Sequence, residues 1–303
     1  MVTLVRANNP SAMTLTGTNS YVIDCGDGAA LVIDPGPPFE EHLQALIGTA
    51  ASQGLTIAAI ALSHAHPDHA MGAPHLSAAT GAPVYAHPRS RVPHDLDLPL
   101  ESDLRVGTRA MACIDAPGHS NDHAVFYLEP EAALFTGDTI LGEGTTVIAP
   151  TGGALRPYQR TLQRLAGEFP AAMLIYPGHG PVVTDPGAKI AEYIAHRQMR
   201  EDQVLAALRA APMTIPDLVR RIYGTQRQVL WPAMARQVLA HLVALEGEGR
   251  AAATRLDRRF TEDEAAMLNP RITDFVGPEE AEVIVAELGT EMRLETLYEY
   301  RLT

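Results

Sequence analysis

Four side chains able to bind a metal fall within six residues, in His64-Ala65-His66-Pro67-Asp68-His69. Side chains alternate along extended backbone, so His64 and His66 can point the same way, as two imidazoles on one ion require. Asp68 and His69 follow where the chain turns toward helix, which lets them face a second ion. Imidazole combined with carboxylate suits zinc, manganese or iron rather than calcium. One histidine here would read as part of a solvated polar loop. Four donors placed directly after a buried strand read as a metal site.

Three isolated donors continue the pattern. His119 lies in Ala116-Pro117-Gly118-His119-Ser120, Asp138 in Phe135-Thr136-Gly137-Asp138-Thr139, and His179 in Tyr176-Pro177-Gly178-His179-Gly180. Each follows a short apolar strand and has glycine beside it, which lets the backbone turn sharply and bring a side chain close to a metal. Alone, any of the three would read as a surface or core residue. With the cluster they form an ordered series. His123, four residues after His119, reads as support for that loop ahead of a direct substrate contact. Ser63 reads as a hydrogen-bonding loop residue, and no Ser-His-Asp triad or cysteine nucleophile is needed. His42, His75, His87, His94, His196 and His241 show no ligand pattern and read as packing or surface.

These donors need strand ends to carry them. Tyr21-Val22-Ile23 and Ala30-Leu31-Val32-Ile33 flank Cys25-Gly26-Asp27-Gly28, a hairpin signal. A helix is predicted over 39–52, a buried strand over 57–62 ahead of the histidine loop, a helix over 73–80 and a strand over 83–86. Strands over 111–114, 124–128, 132–135 and 172–176 and a helix over 158–166 complete an α/β layered pattern. Beyond Pro186 the pattern changes. Helices are predicted over 188–209, from Thr214-Ile215-Pro216-Asp217 onward, and over 233–246, followed by a turn into a short strand near Ala251. That outline is a winged helix-turn-helix. The division expected is 1–188 for a catalytic domain, 189–256 for a winged-helix-like domain and 257–303 for an acidic extension. Ile284, Val285, Leu288, Leu294 and Leu297 suggest that the extension is ordered and packed, and they offer a surface for a homodimer.

The chain has 303 residues, 46% of them hydrophobic, enough for one large and one small domain. Its net charge of −13 should repel nucleic acid and acidic membranes over most of the surface. The charge is uneven: residues 1–188 carry 8 basic and 18 acidic groups, 189–259 carry 12 and 7, and 260–303 carry 3 and 11. Two cysteines, Cys25 and Cys113, make no disulfide framework and read as reduced core thiols. Met1-Val2-Thr3-Leu4-Val5-Arg6 lacks the apolar run of a signal peptide, and no run approaches the roughly 20 residues of a membrane span, so a soluble cytoplasmic protein is expected.

The ordered series resembles the metallo-β-lactamase superfamily of binuclear hydrolases, over about residues 14–185. The resemblance implies an αββα sandwich and two divalent metal ions, zinc first among them. His64, His66 and His119 would bind one ion, Asp68, His69 and His179 the other, and Asp138 would bridge them. Asp34 matches the superfamily's first motif and would orient the histidine loop from behind. An aspartate rather than a cysteine at Asp68, with the second histidine of the cluster present, fits the broad hydrolases better than antibiotic-degrading lactamases. A water held between two dications would be acidified toward neutrality, with Asp68 as its proton acceptor as well as a ligand.

A narrower resemblance runs from about residue 14 to 256. Gly137 to Thr146, Tyr176 to Pro181 and Tyr193-Ile194-Ala195-His196-Arg197 look like the lactamase-beta-2-like group, whose members include single-strand endoribonucleases and acyl carrier protein thioesterases. It implies two hydrolytic readings. Cleavage of single-stranded RNA would use Arg197, Arg200, Arg220, Arg221, Arg227 and Arg236 on phosphates, although a solvated helical face is the simpler explanation of these arginines. An aromatic content of 5% offers few platforms for stacked bases. Hydrolysis of a small-molecule thioester or other acyl ester suits an acidic chain, though no basic motif for glutathione or a phosphopantetheine arm is evident. A third reading, a non-catalytic metal-stabilised binding scaffold, sits poorly with a complete ligand set.

Overall fold

The computed structural model describes residues 1–150, 152–225, 230–268 and 297–303. Strands β1 (Val2–Arg6), β2 (Asn19–Asp24), β3 (Ala29–Ile33), β4 (Thr56–Ala61), β5 (Val84–Ala86) and β6 (Leu96–Asp97) form one sheet in that order. A second sheet has β7 (Ser102–Val106), β8 (Arg109–Asp115), β9 (Ala124–Leu128), β10 (Ala133–Gly137) and β11 (Leu174–Pro177), ordered β11-β10-β9-β8-β7.

Successive side chains of a strand face opposite sides, and these strands are apolar on both. Tyr21, Ile23, Leu31 and Ile33 point inward to meet Phe126 and Phe135 of the other sheet. The alternate residues Val22, Ala30 and Val32 face outward and are covered by Leu43 and Leu46 of helix α1 (Glu40–Ser52) and by Leu76. A one-turn helix, α2 (Pro67–Ala70), precedes α3 (Ala73–Thr80), which carries Leu76. The outer face of the second sheet, with Val125, Leu134 and Ile175, is covered by Leu155, Tyr158 and Leu162 of α4 (Leu155–Glu168) and by Ile190 and Tyr193 of α5 (Pro186–Ala210). The layers are therefore helix, sheet, sheet, helix. Each fully buried Leu or Phe contributes roughly 1.5–3 kcal/mol to this core. Cys25 and Cys113 are free thiols within it, and burial pushes Cys113 up to about 12.

Helix α5 runs on into a second core. Val204, Leu205 and Leu208 pack with Leu218 and Val219 of α6 (Ile215–Tyr223) and with Val238 and Leu242 of α7 (Trp231–Gly247). Thr214 caps α6: its hydroxyl accepts from Asp217 N and donates to the Asp217 carboxylate, which in turn accepts from Thr214 N. A small antiparallel sheet of β12 (Met213–Thr214), β13 (Ala251–Arg255) and β14 (Tyr298–Leu302) completes a winged helix, with β14 between the other two. Helix α8 (Glu262–Leu268) packs onto the same core through Met267 and Leu268. Ile284, Val285, Leu288 and Leu294 lie outside the described residues, while Leu297 is buried and its carbonyl accepts from Leu256 N. Among the described residues no helix is long and apolar enough to cross a membrane.

Candidate metal centre

Parallel pairing of β3 with β4 and of β10 with β11 brings the C-terminal ends of those strands to common edges. Antiparallel pairing of β8 with β9 and β9 with β10 adds the 116–123 turn beside Gly137. Two backbone bonds tie the sheets together there, Ala124 N to Ser63 C=O (2.7 Å) and Asn19 N to Gly178 C=O (2.7 Å). Every predicted ligand therefore arises from a loop, or from the one-turn helix α2, at one edge of the sandwich.

Three overlapping groups of donors form there: His64, His66 and His119; His64, His69 and Asp138; and Asp68, His69 and His179, with ligand atoms in each group within 4.8 Å of one another. His66 is partly exposed and the other six are buried. His66 Nδ1 lies 3.0 Å from His119 Nε2. His179 Nε2 lies 3.2 Å from Asp68 Oδ2 and 3.3 Å from His69 Nε2. Asp138 stands between the clusters, with Oδ1 3.4 Å from His69 Nε2 and Oδ2 3.4 Å from His179 Nε2 and 3.8 Å from His119 Nε2.

The surrounding hydrogen bonds fix which nitrogen each ring presents. The Asp34 carboxylate can only accept, so His69 donates Nδ1–H to it (2.9 Å) and turns Nε2 inward. Asp34 also accepts from Ser63 N (2.7 Å) and Ser63 Oγ (2.6 Å), at a strained φ of 50°. His119 donates Nδ1–H to Val147 C=O (2.9 Å). His123 supports both the His119 loop, its carbonyl accepting from Ala116 N (2.9 Å), and the Asp138 turn. Its Nε2 accepts from Asp138 N (3.2 Å), and its ring stacks on His64 at 4.8 Å.

Electrostatically the two clusters differ. Burial, with the neighbouring imidazoles of His69 and His66, pushes His64 well below the ordinary imidazole range. Burial and His66 bring His119 down to about 4. These rings present neutral lone pairs, the form that binds a metal. Burial opposes charge on His69 and His179 as well, but carboxylates outweigh it. Asp68, Asp138 and Asp34 hold His69 well up, and Asp138 and Asp68 hold His179 at about 10. Burial opposes charge on Asp138 too, yet His179 and His69 hold it well below the ordinary carboxylate range.

The residues fit a pair of dications on three counts. The donors are imidazole and carboxylate alone. The buried atoms His64 Nε2 and Asp68 Oδ1 have no hydrogen-bond partner among the described residues. A Cβ built on Gly178 would lie 2.5 Å from Asp138 Oδ1 and 2.6 Å from His69 Cε1, so only glycine there lets the His179 loop close this tightly on the other donors.

The supports around Asp68 leave little trace in the sequence. Thr18 Oγ donates to Asp68 Oδ2 (2.9 Å) and accepts from Asn9 Nδ2 (3.0 Å). Asn19 Nδ2 donates to the carbonyls of Pro177 (3.0 Å) and Gly180 (2.8 Å), holding the His179 loop. Their only signal is a polar run before an apolar strand, which ordinary turns share. Thr18→Val is expected to weaken metal binding and turnover by roughly 10–100-fold, the usual effect of removing such a support. Metal titration and kcat/KM measure it, and wild-type values for both would show that Thr18 is dispensable.

The arginines depart from expectation. Arg197 is buried, donating to Gln237 Oε1 (2.8 Å) and Thr146 C=O. Arg236 is buried and donates to the carbonyls of Pro232 (3.1 Å) and Leu268 (3.3 Å). Tertiary packing thus removes both from any surface that could track an RNA backbone. Arg220 and Arg221 are exposed, and Arg227 lies outside the described residues.

A layered α/β sandwich with this donor edge is the architecture of metal-dependent hydrolases. Residues 13–179 match the pattern described as Metallo-beta-lactamase superfamily, and residues 214–258 match the Beta-lactamase associated winged helix domain. The chain is 33% identical over 259 residues to a "Beta-lactamase-like protein 2 homolog" of Drosophila melanogaster, covering 80% of this chain and 86% of that one. It is 32% identical over 236 residues to an "Atrochrysone carboxyl ACP thioesterase" of Claviceps purpurea, covering 73% and 71%. In fold it is similar to a beta-lactamase domain protein of Burkholderia ambifaria, with TM-score 0.72, 20% identity and coverage of 84% and 90%. A metallo-beta-lactamase family protein of Thermus thermophilus gives 0.68, 24%, and 84% and 95%. The chain belongs to the metallo-beta-lactamase superfamily, with a C-terminal winged-helix domain, and is a hydrolase.

Proposed function

We propose that this hydrolase works with two divalent cations, zinc foremost, and cleaves an acyl thioester or closely related acyl ester. His64, His66 and His119 would hold one cation, Asp68, His69 and His179 the other, with Asp138 shared. Bound there, the cations would supply an activated water and withdraw charge from the acyl oxygen. Asp68, held by Thr18, would serve as proton acceptor as well as ligand. Asp34 keeps His69 in one tautomer, and His123 keeps the Asp138 turn in place.

The observation that carries the acyl reading is a cavity of about 390 Å³ that includes Asp138 in its wall. It lies between the sandwich and the winged helix and is lined by Leu15, Leu141, Leu230 and Met234, walls that suit an acyl chain. The thioesterase name carried by a relative supports the same class. RNA cleavage has less support, because Arg197 and Arg236 are enclosed. A side-by-side assay of acyl thioesters and single-stranded oligoribonucleotides, with zinc and with manganese, tests the choice. Thioester turnover with intact RNA is expected, and the reverse result would overturn the proposal.

Protons and cations compete for the second cluster. Below about pH 10 His179 takes up a proton that a cation must displace, so affinity falls as pH falls, by about tenfold per unit for each proton displaced. His119, titrating near 4, adds nothing to this between pH 8 and 6. Competition with a chelator should therefore report weaker metal binding at pH 6 than at pH 8, and equal affinities would contradict the assignment.

A further inference from the structure

The cavity beside Asp138 has a second chemical feature that its apolar walls do not explain. Arg197 and Arg200, three residues apart on α5, both line it. Arg197 is 1% exposed. Its contacts are neutral: Gln237 Oε1, the Thr146 carbonyl and the Tyr158 ring at 5.1 Å. Arg200, half-buried, donates Nε–H to His196 Nε2 (3.3 Å) and Nη1–H to Gln203 Oε1 (2.8 Å), with its guanidinium 4.5 Å from the Tyr223 ring. Among the described residues neither guanidinium has a carboxylate in ion-pairing range, whereas Arg156 and Arg250 share Glu201 and Glu248. A buried cation without a counter-ion is costly, and a chain normally places an acid beside it. Among the described residues Glu143 is the one acidic residue besides Asp138 in the cavity wall, and it is exposed.

We propose that Arg197 and Arg200 form an oxyanion-binding end of the substrate cleft, recognising a negatively charged oxygen group that the substrate carries away from its scissile bond. This rests on the acyl thioester reading and specifies it. The charged group has two sources of the same chemistry: a terminal carboxylate on the acyl chain, or a phosphate on the thiol arm. Planar guanidinium groups pair with either through two parallel N–H···O bonds. The neutral contacts of Arg197 orient its fork and leave its charge for the guest. The leucine and methionine walls then carry the uncharged stretch between that anion and Asp138.

The test measures binding to the metal-loaded full chain by calorimetry, with two charged probes and their neutral counterparts: glutarate against glutaramide, and pantetheine 4′-phosphate against pantetheine. Arg200→Met is the principal variant because Arg200 is half-buried and its loss leaves Arg197 in place. Arg197→Met is the second, with thermal unfolding recorded for both. At least one charged probe should outbind its neutral counterpart by roughly tenfold or more, an advantage that Arg200→Met reduces to near unity while metal content stays at the wild-type level. An advantage for glutarate places the anion on the acyl chain, and one for the phosphate places it on the thiol arm. The proposal is overturned if neither charged probe has an advantage, or if the advantage survives in Arg200→Met, since the anion then sits on the metals. Because no turnover is read, a protein that cleaves no thioester can still pass or fail this test. Thioester assays alone decide the reading beneath it.

Discussion

Replacing Asp138 by alanine is expected to lower kcat/KM by on the order of 10³-fold or more and to strip bound metal, while leaving the circular dichroism of the fold nearly unchanged. The reason is position. The two oxygens of this carboxylate reach imidazoles of both clusters, 3.4 Å from His69 and His179 and 3.8 Å from His119. With Asp68, it also supplies the negative charge that offsets the protons, or the cations, held by His69 and His179. No strand depends on its side chain, because Asp138 follows the last residue of β10 and its backbone N–H donates to His123. Kinetics, metal analysis and far-ultraviolet dichroism on one preparation make the measurement. Full turnover by a metal-depleted variant would refute the assignment, and His64→Ala should behave in the same way.

Gly178→Ala should cost about 10²-fold in kcat/KM or more, the loss that a displacement of about 1 Å at reacting groups can cause. The added methyl would sit 2.5 Å from Asp138 Oδ1 and 2.6 Å from His69 Cε1. The backbone has no room to retreat, since Gly178 N donates to Gly137 C=O (2.8 Å) and Gly178 C=O accepts from Asn19 N. Either the two ligands move or the loop does, and His179 is the next residue on that loop. Metal content should fall with activity. Activity within about twofold of wild type would mean that the loop yields without disturbing its neighbours.

The cluster of candidate donors was legible in the sequence because each donor follows an apolar strand and, outside the histidine cluster, stands beside a glycine. Central strands were legible for a similar reason: a strand buried on both faces, such as Ala30 to Ile33, is a continuous apolar run. Edge strand β7 was not, because Ser102, Asp103 and Arg105 are exposed and only Leu104 and Val106 are buried. Strand β14 escaped because its partners β12 and β13 lie far back in the chain, and no local pattern records a long-range pairing. The arginines misled for the opposite reason. A helix rich in arginine looks solvated until another helix is laid against it, and here α7 brings Gln237 onto Arg197. Thr18 and Asn19 wear the composition of any turn, so their service to Asp68 and the His179 loop appears only in three dimensions.

Helix α5 holds 25 residues from Pro186 to Ala210, about 37 Å at the usual rise, and its two halves are embedded in different cores. A rod anchored at both ends resists bending, so the gap between the catalytic edge and the winged helix keeps a preset width. On the acyl thioester reading, guests would then be selected by reach, as by a gauge, and a chain of the wrong length would leave either its reactive end or its tail unseated.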